Sequence, residues 1–182
     1  ILMYYRENGV SACGGSAPCV RFSDAGLILA LEHVYSLRDT YDIAAVNLSG
    51  GGGKYNTQAA CDLDLSLVKV AVDALVGVNI PFVASSGNNG FTSSLGGPAC
   101  LSSAISVGST TSEAPADVVA SSSNAAPFLD LLAPGGAISS SVPNDAFANF
   151  NGTSMAAPHV AGAFALLREK SNAAAIRRAP AR

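Results

Sequence analysis

Charge is scarce in this chain. Only 13% of its 182 residues are Asp, Glu, Lys or Arg, and the formal net charge is −3. No basic stripe exists to neutralise phosphates, which excludes nucleic acid as a partner. The arginines Arg177, Arg178 and Arg182 cluster near the end and read as a solvated tail. No apolar run is long enough to cross a bilayer. The opening Ile1-Leu-Met-Tyr-Tyr lacks the basic region and cleavage site of a signal peptide. There is no Cys-x-x-Cys spacing and there are only two histidines, His33 and His159, so a zinc cluster is not expected.

What is present suits a packed globular protein. Apolar residues make up 49% of the chain, and 18 glycines imply tight turns and close packing of elements. The four cysteines are Cys13, Cys19, Cys61 and Cys100, an even count that permits three pairings of two disulfides. Cys13 and Cys19 flank a short Gly-Gly-Ser-Ala-Pro loop and can pair locally, which leaves Cys61 with Cys100. Free buried thiols are the alternative.

Strand and helix patterns alternate. Ser23 and Asp24 open a helical stretch with Leu27, Leu31, Val34 and Tyr35 on one face. Residues 43–48 read as a buried strand broken by Gly50 to Gly53, and residues 62–76 as a second helix carrying Leu65, Val68, Val72 and Leu75. Further strands are expected at 80–84, 104–107 and 128–132, and a third helix at 153–169. Such alternation predicts one domain with a parallel sheet and helices on its faces, its ligand site at the carboxyl ends of the strands. The breaks at Gly50 and Gly87 fall at such ends.

The most informative stretch is Asn149-Phe-Asn-Gly-Thr-Ser-Met-Ala-Ala-Pro-His-Val-Ala-Gly162. Ser154 follows a Gly-Thr turn and opens a helix, where unpaired N–H groups and the positive helix end favour an anion. Read locally, Ser154 is equally a helix-capping serine, and Asn88 a turn asparagine.

Residues 151–162, NGTSMAAPHVAG, resemble the serine motif of the subtilisin-like serine peptidases almost letter for letter. Val46-Asn-Leu-Ser-Gly-Gly-Gly52 resembles the family's cleft strand, and Val83-Ala-Ser-Ser-Gly-Asn-Asn-Gly90 its oxyanion segment. Residues 104–108 and 130–135 match linking elements, so the resemblance covers roughly 23–169, with 170–182 an atypical tail. It implies a three-layer α/β/α subtilisin-like fold and a serine endopeptidase acting on protein or peptide substrates, with no required cofactor, monomeric when complete. Family habit, with the disulfides, implies export from the cytoplasm, and membrane association is not expected. By the same resemblance Ser154 is the nucleophile and Asn88 the oxyanion amide. Ser49, Gly50 and Gly51 form one edge of the substrate cleft, and Ala84, Ser85, Ser86 and Gly87 the opposite wall. Gly50 stands where many relatives carry leucine. Asp130 is either a turn-fixing carboxylate or a weak calcium ligand together with carbonyls near Pro98 and Cys100.

A nucleophilic serine needs a base, and the family's chain order is aspartate, histidine, serine. Neither histidine has the family's surroundings. His159 lies five residues after Ser154, about 140° around the same helix, and His33 lies on the first helix away from its apolar face. The expectation is that this is the C-terminal part of the domain, with the catalytic Asp and His upstream of Ile1, and that the chain alone is inactive. The alternatives are a catalytically dead relative that captures extended peptides, and a different serine hydrolase. The latter predicts a Gly-x-Ser-x-Gly elbow, which does not surround Ser154.

Overall fold

The computed structural model describes residues 5–11, 18–112 and 118–178, with side chains described as far as residue 171. In chain order the elements are β1 (Tyr5–Glu7), β2 (Cys19–Arg21), α1 (Asp24–Ser36), β3 (Val46–Leu48), β4 (Gly52–Tyr55), α2 (Gln58–Asp64) and α3 (Ser66–Val76). There follow β5 (Phe82–Ser85), β6 (Leu95–Gly97), β7 (Ile105–Thr110), β8 (Leu131–Pro134), β9 (Ile138–Val142), β10 (Ala146–Phe150) and α4 (Thr153–Arg178).

Four strands form a wholly parallel sheet in the order β3-β5-β7-β8. Residues of β5 alternate between its two faces, as a strand's period of two requires. Phe82 and Ala84 face a core shared with Leu27 and Leu31 of α1 and Val68, Val72 and Leu75 of α3. Val83 faces the other core, with Val107, Ala133 and the α4 residues Ala156, Ala157 and Val160. The small residues of α4 let it lie close across all four strands. These are the three layers, α/β/α, that the sequence implies.

Local chemistry sets the helix starts. The Ser23 hydroxyl accepts from Gly26 N–H at 3.1 Å and caps α1, with Asp24 in its first turn. Thr57 caps α2 in the same way through Ala60 N–H at 3.2 Å.

The single helix expected over 62–76 is two helices. Its apolar spacing is continuous, but the chain breaks at Leu65 (φ −99°, ψ 30°). Tertiary anchors override the periodicity there: Cys61 is fully buried in a disulfide with Cys100, and Asp64 is drawn to the Tyr55 hydroxyl. Strand β8 begins three residues later than expected. Asp130 accepts from Ser106 N–H (2.8 Å) and Ser106 Oγ (2.7 Å), while Leu129 N–H closes a turn onto Ala126 O. Asp130 therefore ties the start of β7 to the residue before β8. The hairpin β9–β10 and the β4–β6 pair were not foreseen, because serine-rich and glycine-rich strands carry little apolar alternation.

Of the two expected disulfides, Cys61–Cys100 is present. Cys19 is also disulfide-bonded, and the Cys13 end of the expected local pair lies outside the described residues. No helix among the described residues is long and apolar enough to cross a membrane.

Candidate active site

Ser154 is the second residue of α4, at the carboxyl ends of the parallel strands. At that position the helix supplies no acceptor for its N–H, which makes no hydrogen bond among the described residues. The residue before it holds Asn88. Thr153 N–H donates to Asn88 Oδ1 at 2.9 Å, and Thr153 Oγ1 donates to the same oxygen at 3.1 Å. A backbone N–H can only donate, so the carbonyl oxygen of the Asn88 amide faces Thr153. Its Nδ2 is the end left over, and it makes no hydrogen bond among the described residues. Thr153 is itself tied back, its hydroxyl accepting from Gly87 N–H at 3.3 Å.

Ser49 meets Ser154 from the other side. The Ser154 hydroxyl donates to Ser49 O over a long 3.4 Å, and the Ser49 hydroxyl donates to Ser154 O at 2.8 Å. The second bond answers a defect in α4. Pro158 lacks an N–H, so the carbonyl four residues earlier, that of Ser154, has no helical partner.

Gly51 runs against β6 so closely that a Cβ there would lie 2.1 Å from Gly97 O, which is a reason in geometry for glycine at this point of the cleft edge. A cleft of about 600 Å³ opens beside Ser49 to Gly53 and is lined also by Phe22, Leu27, Tyr55, Asp64 and Pro98. Phe22, which the sequence reading missed, lies 3.2 Å from where a Gly50 Cβ would stand. Its ring thus flanks Gly50 at the edge of the cleft.

Along residues 84–87, which the resemblance assigns to the opposite wall, the side chains turn inward. Ala84 packs into the core beneath α1 and α3, Ser85 is buried, and the buried Ser86 hydroxyl donates to Asn124 O at 2.9 Å. Only Gly87 of this stretch is half-exposed, so the surface offered there is largely backbone. Asn88 and Asn89 are exposed. Asn124, also missed, is fully buried and bonded to both sides of this loop. No local signal marks it, since it ends a run of three serines in an irregular segment.

Neither histidine hydrogen-bonds the Ser154 hydroxyl. His159 is exposed, with Nδ1 2.8 Å from Met155 O on its own helix. His33 is exposed on α1, in the layer across the sheet from α4. No group of three His, Cys, Asp or Glu side chains placed to hold a metal occurs among the described residues.

A family model described as the Subtilase family matches residues 23–179. A subtilisin from Bacillus pumilus is 41% identical over 128 residues, which is 69% of this chain and 42% of that protein. Subtilisin DY from Bacillus licheniformis is 34% identical, with 80% of this chain and 62% of the relative covered. Among solved structures, a cold-adapted subtilisin-like serine proteinase is 33% identical with a TM-score of 0.63, covering 86% of this chain and 50% of that one. The chain thus spans less than two thirds of the length of each of these relatives. With the family match running over most of its residues, the chain belongs to the subtilase family.

Proposed function

We propose that the chain supplies the nucleophile and the oxyanion side of a serine endopeptidase. The observation that supports this most is the Asn88 amide, anchored through Oδ1 to Thr153, the residue before Ser154, so that Nδ2 is the donor left over. In this reading Ser154 Oγ attacks the scissile carbonyl of a peptide. The developing oxyanion accepts from Ser154 N–H and Asn88 Nδ2. Collapse expels the amine and leaves an ester on Ser154, which water then hydrolyses. The peptide lies extended along Ser49, Gly50 and Gly51, paired through main-chain bonds, with the backbone of residues 84–87 opposite.

Among the described residues no histidine hydrogen-bonds the Ser154 hydroxyl. His159 is turned to the Met155 carbonyl, and His33 lies on a different layer. The reading assigns the histidine and its aspartate to other residues of the protein and expects the chain by itself to be unreactive. The Cys61–Cys100 disulfide favours an oxidising, extracytoplasmic setting.

Labelling with a fluorophosphonate probe tests this. The 182-residue chain is expected to stay unlabelled, as is its Ser154→Ala variant, while the complete protein labels at Ser154 and cleaves an unfolded protein substrate. Ser154-dependent labelling of the chain alone would place a working base within it and overturn that assignment. A complete protein that binds peptides but neither labels nor cleaves them would replace the peptidase reading with peptide capture.

A further inference from the structure

Asn88 sits on an exposed loop, yet an oxyanion donor must be held to a fraction of an ångström. Thr153 anchors the tip of its side chain and, through its hydroxyl, Gly87 N–H just before it. On both sides of Asn88 the loop is also bonded by one fully buried residue, Asn124. Asn124 Oδ1 accepts from Asn89 N–H at 2.9 Å and from Phe91 N–H at 3.1 Å. Two backbone donors on one atom fix the amide's orientation, so Nδ2 faces the other way. Nδ2 donates to Ser86 O at 3.0 Å and to Asn89 Oδ1 at 3.4 Å. Asn124 N–H adds a bond to Gly87 O at 2.9 Å, and Asn124 O accepts from Ser86 Oγ at 2.9 Å and Ser123 Oγ at 3.3 Å. All four side-chain bonds are thus spent on residues 86, 89 and 91, bracketing Asn88 without touching it. The fit is close: a Cβ on Gly87, whose φ is +104°, would lie 2.3 Å from Asn124 Nδ2.

We propose that Asn124 is a positioning residue for the oxyanion site: it holds the loop at residues 86–91 so that the Asn88 amide meets Thr153 and presents Nδ2 toward Ser154. The proposal rests on the oxyanion reading of Asn88. A side chain with both acceptor and donor ends is needed, because the loop offers N–H groups after Asn88 and a carbonyl before it. Neither alanine nor aspartate supplies both.

The test uses Asn124→Ala and Asn124→Asp in the complete protein, with two readouts. Turnover of a peptide substrate is divided by the number of sites that fluorophosphonate titrates, so that loss of folded protein cancels. Turnover per site is expected to fall by about ten- to a hundredfold in Asn124→Ala, with KM within about threefold, as for a displaced transition-state contact. Hydrogen exchange is followed at the Thr153 amide, whose bond is to Asn88 Oδ1 and not to Asn124. Its protection is expected to drop in both variants while the core amides of Val83 and Val107 keep theirs. Unchanged turnover per site and unchanged Thr153 protection would overturn the proposal. So would a loss of protection shared equally by Val83 and Val107, which would make Asn124 a stabiliser of the fold and nothing more. If the wild-type protein neither labels nor cleaves, the peptidase reading fails and the Thr153 amide alone decides whether Asn124 positions Asn88.

Discussion

Two bonds on one oxygen decide which end of the Asn88 amide is left over: Thr153 N–H and Oγ1 both claim Oδ1. Replacing Asn88 by Ala in the active protein is expected to lower turnover by about 10²–10³ while KM changes little, a range measured for such a donor in this same family. A rise in KM with kcat unchanged would instead mark Asn88 as a ground-state contact. The sequence singles out Ser154 and Asn88 because each lies in a long contiguous motif. Thr153 lies in the same motif, yet its role was not legible, since its partner is 65 positions away. Asn124 was hidden for the same reason, with its bonds reaching back 33 to 38 positions.

Tyr55 supplies a pH dependence. Its hydroxyl donates to Asp64 Oδ2 at 2.5 Å. This bond, with partial burial and the negative charges of Asp64 and Asp24, pushes its pKa from 10.0 up to about 12. The folded state therefore holds the proton more tightly than the unfolded chain. Stability from this contact is complete below pH 10 and is lost as pH rises toward 12. Denaturation midpoints across that window are expected to fall more steeply for the wild type than for Tyr55→Phe; parallel profiles would refute the contribution.

At the scale of elements, the capped and periodic helices were readable, and the strand ends and short hairpins were not. Helix α1 obeys its pattern because nothing but its own cap and its apolar face against α3 and the sheet acts on it. The break between α2 and α3 departs from pattern because a disulfide and a tyrosine act from outside. Helix α4 shows a defect and its repair in different parts of the chain. Pro158 leaves the Ser154 carbonyl without a helical donor, and the Ser49 hydroxyl, 105 positions earlier, supplies one at 2.8 Å. Ser49→Ala is expected to destabilise by about 1–3 kcal/mol, the range for an acceptor left unsatisfied. In a Pro158→Ala background, where the helix can supply its own N–H, the same change is expected to cost much less. A denaturant-based double-mutant cycle measures the difference, and additive effects would show that the two residues are uncoupled.

For the molecule as a whole, the layers and the parallel sheet followed from the alternation of elements, while the pairing of distant cysteines stayed open among three possibilities. The Cys61–Cys100 bond ties α2 to the segment between β6 and β7, across a sequence separation of 39. In the chain-entropy account, closing a loop of that length stabilises by about 4 kcal/mol. Replacing both cysteines by alanine is expected to lower the unfolding free energy by about 2–4 kcal/mol in urea titrations. An unchanged midpoint would mean that buried packing alone holds the junction.

The helix that bears Ser154 follows all four strands of the sheet in the chain and covers the face on which Val83, Val107 and Ala133 lie. On the ribosome, that face must wait. Strands β3, β5, β7 and β8 emerge and can pair, yet their second layer arrives only when α4 has cleared the exit tunnel. The same arrival brings Thr153 against Asn88 and Ser154 against Ser49. Completion of the fold and placement of Ser154 are therefore one event in synthesis. A nascent chain halted before Thr153 holds a half-covered sheet and lacks Ser154.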